Sequence, residues 1–196
     1  REGVDIIFAL DVSKSMLAED IAPNRLEKAK RLVSAIIDDL VSDRIGIIVY
    51  AGKAYAQLPL TTDYTAAKMF LRTINTDMVP TQGTDIGNAV EMALSYFESG
   101  KEQNRVLFIL SDGESHEEGA LEASELASEN GILIHAIGLG TLDGGPIPIK
   151  RNGVIKGYKK DNEDKVVVTK MDPAMLQQLA LSTEGNFIDG MNTKET

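Results

Sequence analysis

Apolar and polar positions follow two periods along this chain. Short, nearly continuous apolar runs at 4–10 (VDIIFAL), 45–50 (IGIIVY), 106–110 (VLFIL) and 132–137 (ILIHAI) have the length and β-branched content of strands buried on both faces. Between them apolar residues recur at helical spacing. Leu26, Ala29, Val33, Ile36 and Leu40 follow Pro23. Ala67, Phe70, Leu71 and Ile74 follow Asp63, a candidate cap. Ile86, Ala89, Val90, Ala93, Leu94 and Phe97 follow the loop PTQGTDIGNAV. A further helix is expected from SDGESHEEGA to Asn130, with Gly131 as its left-handed stop, and a short one carrying Met175, Leu176, Leu179 and Ala180 starts at Asp172 and Pro173. AGKAYAQLPL reads as a short antiparallel edge strand and GNFID as the last strand. This alternation predicts an α/β fold, a doubly wound, Rossmann-like, mostly parallel sheet with helices on both faces and one antiparallel edge strand.

The alternation breaks at about 141–170. There, apolar patches at 146–149 and 166–169 are separated by Gly, Asn and charged residues, the pattern of an inserted β-hairpin on the rim. Lys150, Arg151, Lys156, Lys159 and Lys160 make it a basic patch on an acidic chain. No tandem repeat or low-complexity linker interrupts the sequence, so 1–196 is expected to be a single domain carrying that insertion.

Composition narrows the class. A chain of 196 residues with 43% hydrophobic content and 26% charged residues suits a globular domain with a sizeable core. The net charge of -10 disfavours nucleic acid and anionic membrane surfaces as partners, because both require basic footprints. With no cysteine, disulfides and thiolate metal sites are excluded. No apolar run approaches the roughly 20 residues of a spanning helix. The abrupt opening REGVD, at the edge of a strand, is what an excised segment of a longer chain looks like.

The chemistry begins where the first strand ends. DIIFALDVSKSM runs into Asp11, Ser13 and Ser15, three oxygen donors at alternate positions where a core needs none. In doubly wound sheets ligands bind beyond the carboxyl ends of the parallel strands. Asp112 leaves the VLFIL strand at that end, and Thr84 sits in a loop opening a helix toward the same crevice. Five oxygen donors without nitrogen or sulfur suit a hard cation, Mg²⁺ first and Mn²⁺ or Ca²⁺ as substitutes, and match zinc poorly. Two carboxylates and three hydroxyls only balance a dication. Such an ion keeps a position for a carboxylate from outside, an Asp or Glu of a protein partner.

Asp11-Val12-Ser13-Lys14-Ser15, Thr84 within QGTDIGNA and Asp112 within ILSDGE together resemble the metal-ion-dependent adhesion site (MIDAS) of a von Willebrand factor A domain. By that resemblance Ser13, Ser15 and Thr84 are direct hydroxyl ligands, and Asp11 and Asp112 bind directly or through water. VYAGKAYAQLPLT, TQGTDIGNA and DGGPIPI look more narrowly like the bacterial aerotolerance-associated (Bat) membrane proteins. The resemblance implies an inner-membrane protein with a periplasmic A domain, working with other Bat proteins or a MoxR-type AAA+ ATPase in aerotolerance or envelope stress. Only GMNTKET follows NFID, where such domains usually carry a closing helix.

Met16, Gln82 and Glu114 are candidate partner contacts around the metal. Asp85 is expected as a helix-start charge, Glu114 as a solvated loop residue, His116 as solvent-facing, and His135 as a hydrogen-bonded core residue. GLGTLDGG fails as a dinucleotide loop because Asp143 stands where the third glycine belongs. Two other functions fit the same donors: a Mg²⁺-dependent phosphatase with Asp11 as nucleophile, and a non-adhesive structural ectodomain. The phosphatase reading lacks a second Asp at position 13 to act as general acid, so no catalytic residue is assigned.

Overall fold

A computed structural model describes residues 3–97, 104–114 and 119–191. The chain runs β1 (Asp5–Asp11), α1 (Arg25–Asp39), β2 (Arg44–Tyr50), β3 (Ala54–Thr61), α2 (Tyr64–Thr73), α3 (Ile86–Tyr96), β4 (Arg105–Ser111), α4 (Ala120–Glu129) and β5 (Ile132–Gly138). Short strands β6 (Gly145–Pro146), β7 (Pro148–Arg151), β8 (Val154–Tyr158) and β9 (Val168–Thr169) follow, then α5 (Pro173–Leu181) and β10 (Phe187–Asp189).

Six strands form one sheet in the order β10-β5-β4-β1-β2-β3, with only β3 antiparallel. All seven residues of β1 are buried, as expected for a strand covered on both faces. Side chains alternate across it. Ile6, Phe8 and Leu10 pack with Leu26, Ala29, Val33 and Ile37 of α1 and with Ala67 and Leu71 of α2. Ile7 and Ala9 face the other way, onto Ile86, Ala89 and Val90 of α3, Ala123 and Ala127 of α4, and Leu176 and Leu179 of α5. The chain leaves β1 toward β2 and β3, then crosses to β4 on β1's other side. That reversal opens a crevice at the carboxyl ends of β1 and β4.

Local sequence explains most boundaries. Asn24, Asp63 and Asp172 cap α1, α2 and α5 by accepting the backbone N–H of Glu27, Ala66 and Ala174. Gly131 ends α4 at φ 68°, as expected from a left-handed stop. Two details of the buried stripes differ. Ile37, not Ile36, continues the fully buried row of α1, because steps of four from Ala29 and Val33 land there. Phe70 is 45% exposed, since α2 turns Ala67 and Leu71 to the sheet and Phe70 falls at the edge of that face.

The insertion is a two-step ladder rather than one hairpin spanning 146–169. Its base pairs β6 with β9, and the projecting part is the local hairpin of β7 and β8. Asn152 and Gly153 turn that hairpin at φ 50° and 76°, the paired positive values of a tight two-residue turn. Among the described residues no helix is long and apolar enough to cross a membrane.

The sheet's centre supplies a stability test. Phe8 is fully buried and stacks on Phe108 at 5.4 Å, and Phe108 in turn lies 5.2 Å from the His135 ring. Phe8→Ala is expected to cost about 3–5 kcal/mol in urea unfolding, because the neighbouring strands cannot collapse into the space.

Candidate functional site

The crevice is built from strand ends inward. Asp11, the last residue of β1, is fully buried and both carboxylate oxygens are engaged: Oδ1 accepts Ser13 N–H at 2.8 Å and Oδ2 accepts Ser111 Oγ–H at 2.7 Å. Ser111 Oγ also accepts Gly113 N–H at 3.0 Å, which ties the turn after β4 to the end of β1. After Ser13 the chain makes a 3-10 turn over Lys14–Leu17. That turn brings Ser13 Oγ and Ser15 Oγ to 3.0 Å.

Asp112 is also fully buried. Its Oδ1 accepts Glu114 N–H at 3.1 Å and its Oδ2 accepts an Arg25 Nη1–H at 2.9 Å. Thr84 arrives on a separate loop. Asp85 N–H donates to Ala51 O at 2.7 Å and Gly52 N–H to Thr81 O at 3.1 Å, fastening that loop over the end of β2, where Tyr50 lies beside Asp11 in register. Position 52 must be glycine for this approach, since a Cβ there would stand 2.1 Å from Gln82 O. Asp11, Ser13, Ser15 and Ser111 thus form one hydrogen-bonded set, Asp112 follows Ser111 directly, and buried Thr84 lies on the loop fastened to the adjacent strand.

Arg25 explains how two carboxylates survive burial. Its side chain is fully buried at the start of α1 and reaches Asp112 with Nη1, Asp20 with Nε (2.9 Å) and Nη2 (2.8 Å), and Thr169 of β9 through Oγ1 (3.1 Å) and the carbonyl (2.9 Å). Gly140, at φ 123°, makes the room, because a Cβ would fall 2.7 Å from Arg25 Nε. One guanidinium therefore serves two carboxylates directly, with Asp11 beside them and no cation of its own.

The titration behaviour follows. Burial, then the charge of Asp112, pushes the Asp11 carboxyl up to about 7, against the hydrogen bonds from Ser13 and Ser111. Burial also raises Asp112, with Ser15 and Arg25 opposing. Burial would raise Asp20 too, but the hydrogen bonds from Arg25 and Thr141 outweigh it and hold it low. The phenol of Tyr50 is pushed well above its usual range by burial and then by Asp11; Ser111 offsets part of this, yet its hydroxyl proton goes to Asp11. Tyr50 Oη has no hydrogen-bond partner among the described residues. With Asp11, Asp112 and Asp20 ionised against Arg25, the cluster carries two uncompensated negative charges. A dication matches that deficit and the oxygen-only donors. Among the described residues no three Asp, Glu or His side chains are arranged to hold a metal ion by themselves, so the hydroxyl-rich crevice is a different kind of centre from a closed carboxylate or imidazole cage.

Two expectations for the rim are corrected. Met16 is fully buried in the core under α1, where its side chain pins the turn carrying the serines, so it is not a partner contact. Glu114 is not simply solvated: Oε2 accepts the Thr169 hydroxyl and Oε1 accepts Lys170 N–H at 3.0 Å. Gln82 is exposed on the Thr84 loop. Asp85 caps α3 through Asn88 N–H at 2.8 Å, and half-buried His135 accepts Asn186 N–H through Nδ1 at 3.1 Å. The expectation for His116 lies outside the described residues. Arg25, Asp20, Ser111, Tyr50 and Thr169 were not anticipated, although Arg25 stands four residues before Ala29 on the buried stripe of α1, an anomaly readable in the sequence. Beside the crevice a groove of about 530 Å³ opens between Lys14, Leu17 and Asp77 on one side and Ile147, Ile149 and Lys159 of the insertion on the other.

Residues 6–114 match the family model of the von Willebrand factor type A domain. The chain belongs to that family. Two solved structures superpose on this von Willebrand factor type A domain with TM-scores of 0.90: an aerotolerance-related membrane protein from Bacteroides fragilis (43% identical, covering 95% of this chain and 91% of that one) and BatB from Bacteroides thetaiotaomicron (44%, covering 95% and 90%). The Bat-like features in the sequence agree with both. A Borreliella burgdorferi protein is 30% identical over 94% of this chain, which spans 53% of that relative, so the domain covers about half the length of such curated relatives. A more distant fold neighbour, proximal thread matrix protein 1 from the mussel byssus (21% identical, TM-score 0.69, covering 96% of this chain and 42% of that one), has been seen with a zinc-occupied MIDAS motif.

The charge deficit sets a pH dependence for the metal-free domain. Asp11 binds its proton more tightly folded, at about 7, than unfolded, near 3.8, so stability contributed at low pH is lost as pH rises through that window. In chelator, the Tm is expected to fall between about pH 4 and 7 and to level off above. Asp11→Asn should flatten that slope in differential scanning calorimetry.

Proposed function

We propose that this domain is a metal-dependent protein-binding module. A divalent cation, Mg²⁺ foremost, is held by the hydroxyls of Ser13, Ser15 and Thr84, with Asp11 and Asp112 contributing directly or through water. When bound, the ion supplies a Lewis-acidic position that accepts an Asp or Glu carboxylate from a partner protein. The observation that carries this reading is the pair of fully buried carboxylates, Asp11 and Asp112, whose negative charge Arg25 does not balance. The domain's own residues place the oxygens, keep bulk water from the carboxylates, and leave the outward side to the partner.

The insertion supports a partner of the same acidic character. Residues 141–170 hold seven Lys and Arg against four Asp and Glu, in a chain whose net charge is -10. Ile149, 52% exposed, and Lys159 face the groove that begins at Lys14, between the two serines. An acidic segment with aliphatic neighbours fits that surface: its carboxylate reaches the metal and its flanks lie along Ile149 and Lys159. The likeness to Bat proteins adds a setting, the periplasmic side of a bacterial inner membrane with anchors in flanking segments, and candidate partners in other Bat proteins or a MoxR-type ATPase. A phosphatase with Asp11 as nucleophile is disfavoured, because that carboxylate is buried with both oxygens hydrogen-bonded.

Titration calorimetry is expected to register one Mg²⁺ or Mn²⁺ per chain in wild type and none in Ser13→Ala/Ser15→Ala. Partner capture from envelope extract should require the metal and disappear with EDTA; capture that survives chelation would overturn the reading. Lys159→Glu should weaken partner binding by on the order of tenfold, as loss and reversal of one interfacial charge does, while metal affinity stays at the wild-type value.

A further inference from the structure

The bonds that hold the insertion in place are made by the same groups that hold Asp112. Arg25 Nη1 donates to Asp112 Oδ2 and to Thr169 Oγ1, and Nη2 donates to the Thr169 carbonyl. On the other oxygen, Asp112 Oδ1 accepts Glu114 N–H, and the Glu114 side chain accepts from the Thr169 hydroxyl and Lys170 N–H. The start of the insertion is tied to the same cation through Asp20, whose Oδ2 accepts Thr141 N–H at 2.8 Å while its carboxylate chelates Arg25. Both ends of the 141–170 segment therefore converge on one guanidinium. The Arg25 and Asp112 side chains are inaccessible to solvent and that of Asp20 is nearly so, so little water is at hand to replace a bond that stretches.

We infer that Arg25 and Glu114 are positioning residues that couple the seating of the insertion to the Asp112 carboxylate, so that metal binding and insertion seating strengthen one another. The inference rests on the metal-site reading above. It goes beyond that reading by assigning the insertion base, and not only its exposed face, a part in the site. When Thr169 is in place, Asp112 is held from both oxygens in the orientation presented to the crevice. When the β6–β9 base loosens, Arg25 and Glu114 lose their anchor and Asp112 gains freedom that a metal must then remove. By reciprocity, a cation that fixes Asp112 tightens the base of the insertion, which carries one wall of the groove.

Thr169→Val tests this, because it keeps the shape of the residue and removes only the hydroxyl shared by Arg25 and Glu114. Mn²⁺ affinity by calorimetry is expected to weaken on the order of tenfold, the usual effect of losing a residue behind a metal ligand. Arg25→Lys, which keeps the charge but cannot span Asp20, Asp112 and Thr169 together, should do the same. Lys156→Ala at the exposed hairpin should leave affinity unchanged. A measurement on the wild-type chain needs no variant: Mn²⁺ should slow hydrogen exchange of the Lys170 amide, which is bonded to Glu114. Thr169→Val with wild-type Mn²⁺ affinity, or a Lys170 amide indifferent to Mn²⁺, overturns the coupling while the metal site stands. A wild-type chain that takes up no Mn²⁺ overturns both.

Discussion

Two carboxylates buried side by side at the open end of a parallel sheet are the constraint around which the rest of the molecule is arranged. Asp11 ends β1 and Asp112 follows β4 on the neighbouring strand, at the point where the sheet's order reverses. Burial of a charge without compensation costs several kcal/mol, so every local feature of the crevice acts to reduce that cost. Ser111 and the Ser13 amide engage Asp11, Arg25 and the Glu114 amide engage Asp112, and Asp11 still titrates near 7. The remaining charge is the chemical opening through which a cation enters the account.

That constraint reaches into parts of the chain that look unrelated to it. Gly140 makes room for Arg25, and Gly52 lets the Thr84 loop lie against the end of β2. Met16 is buried so that the turn between Ser13 and Ser15 holds both hydroxyls on one side. Each of these residues is structural in the ordinary sense, yet the geometry each one fixes is that of oxygen donors. Stability and ligand readiness are set here by the same contacts, so the carboxylates that weaken the metal-free fold as pH rises are those a dication would engage.

The sheet was legible in the sequence because β1 and β2 are buried on both faces, β4 and β5 over their second halves, and all four announce themselves as nearly unbroken apolar runs. The meeting of Asp11, Ser13 and Ser15 beside Asp112 was legible because polar residues at strand ends have no packing role to hide behind. What escaped was the support behind them. Arg25 occupies a position on the helical stripe where an aliphatic residue is the default, and only the three-dimensional meeting of Asp20, Asp112 and Thr169 explains a guanidinium there. Thr169 lies 144 residues from Arg25, so no local pattern could have paired them. Met16 was misplaced for a related reason: in a four-residue 3-10 turn neither the helical nor the strand period predicts which side chain points inward. Phe70 shows the reverse error, an apolar side chain at helical spacing whose helix buries only a narrow face.

Polar contacts at both ends fix where the insertion sits. Ile149, Val154, Ile155 and Tyr158 are all substantially exposed, so the projecting hairpin gains little from packing on the domain. Its two ends are instead attached through polar contacts with Asp20, Arg25 and Glu114, and farther out Lys150 pairs with Glu19. Exposed pairs such as the last contribute little, which leaves the buried Arg25 cluster as the anchor. Ile147 is buried where the hairpin meets the domain, but a segment whose two ends are also tied to a buried ionic cluster is sensitive to the charge state of that cluster in a way a purely hydrophobically docked segment is not. Since Asp112 belongs both to the anchor and to the crevice, any cation that alters its surroundings alters the anchor as well.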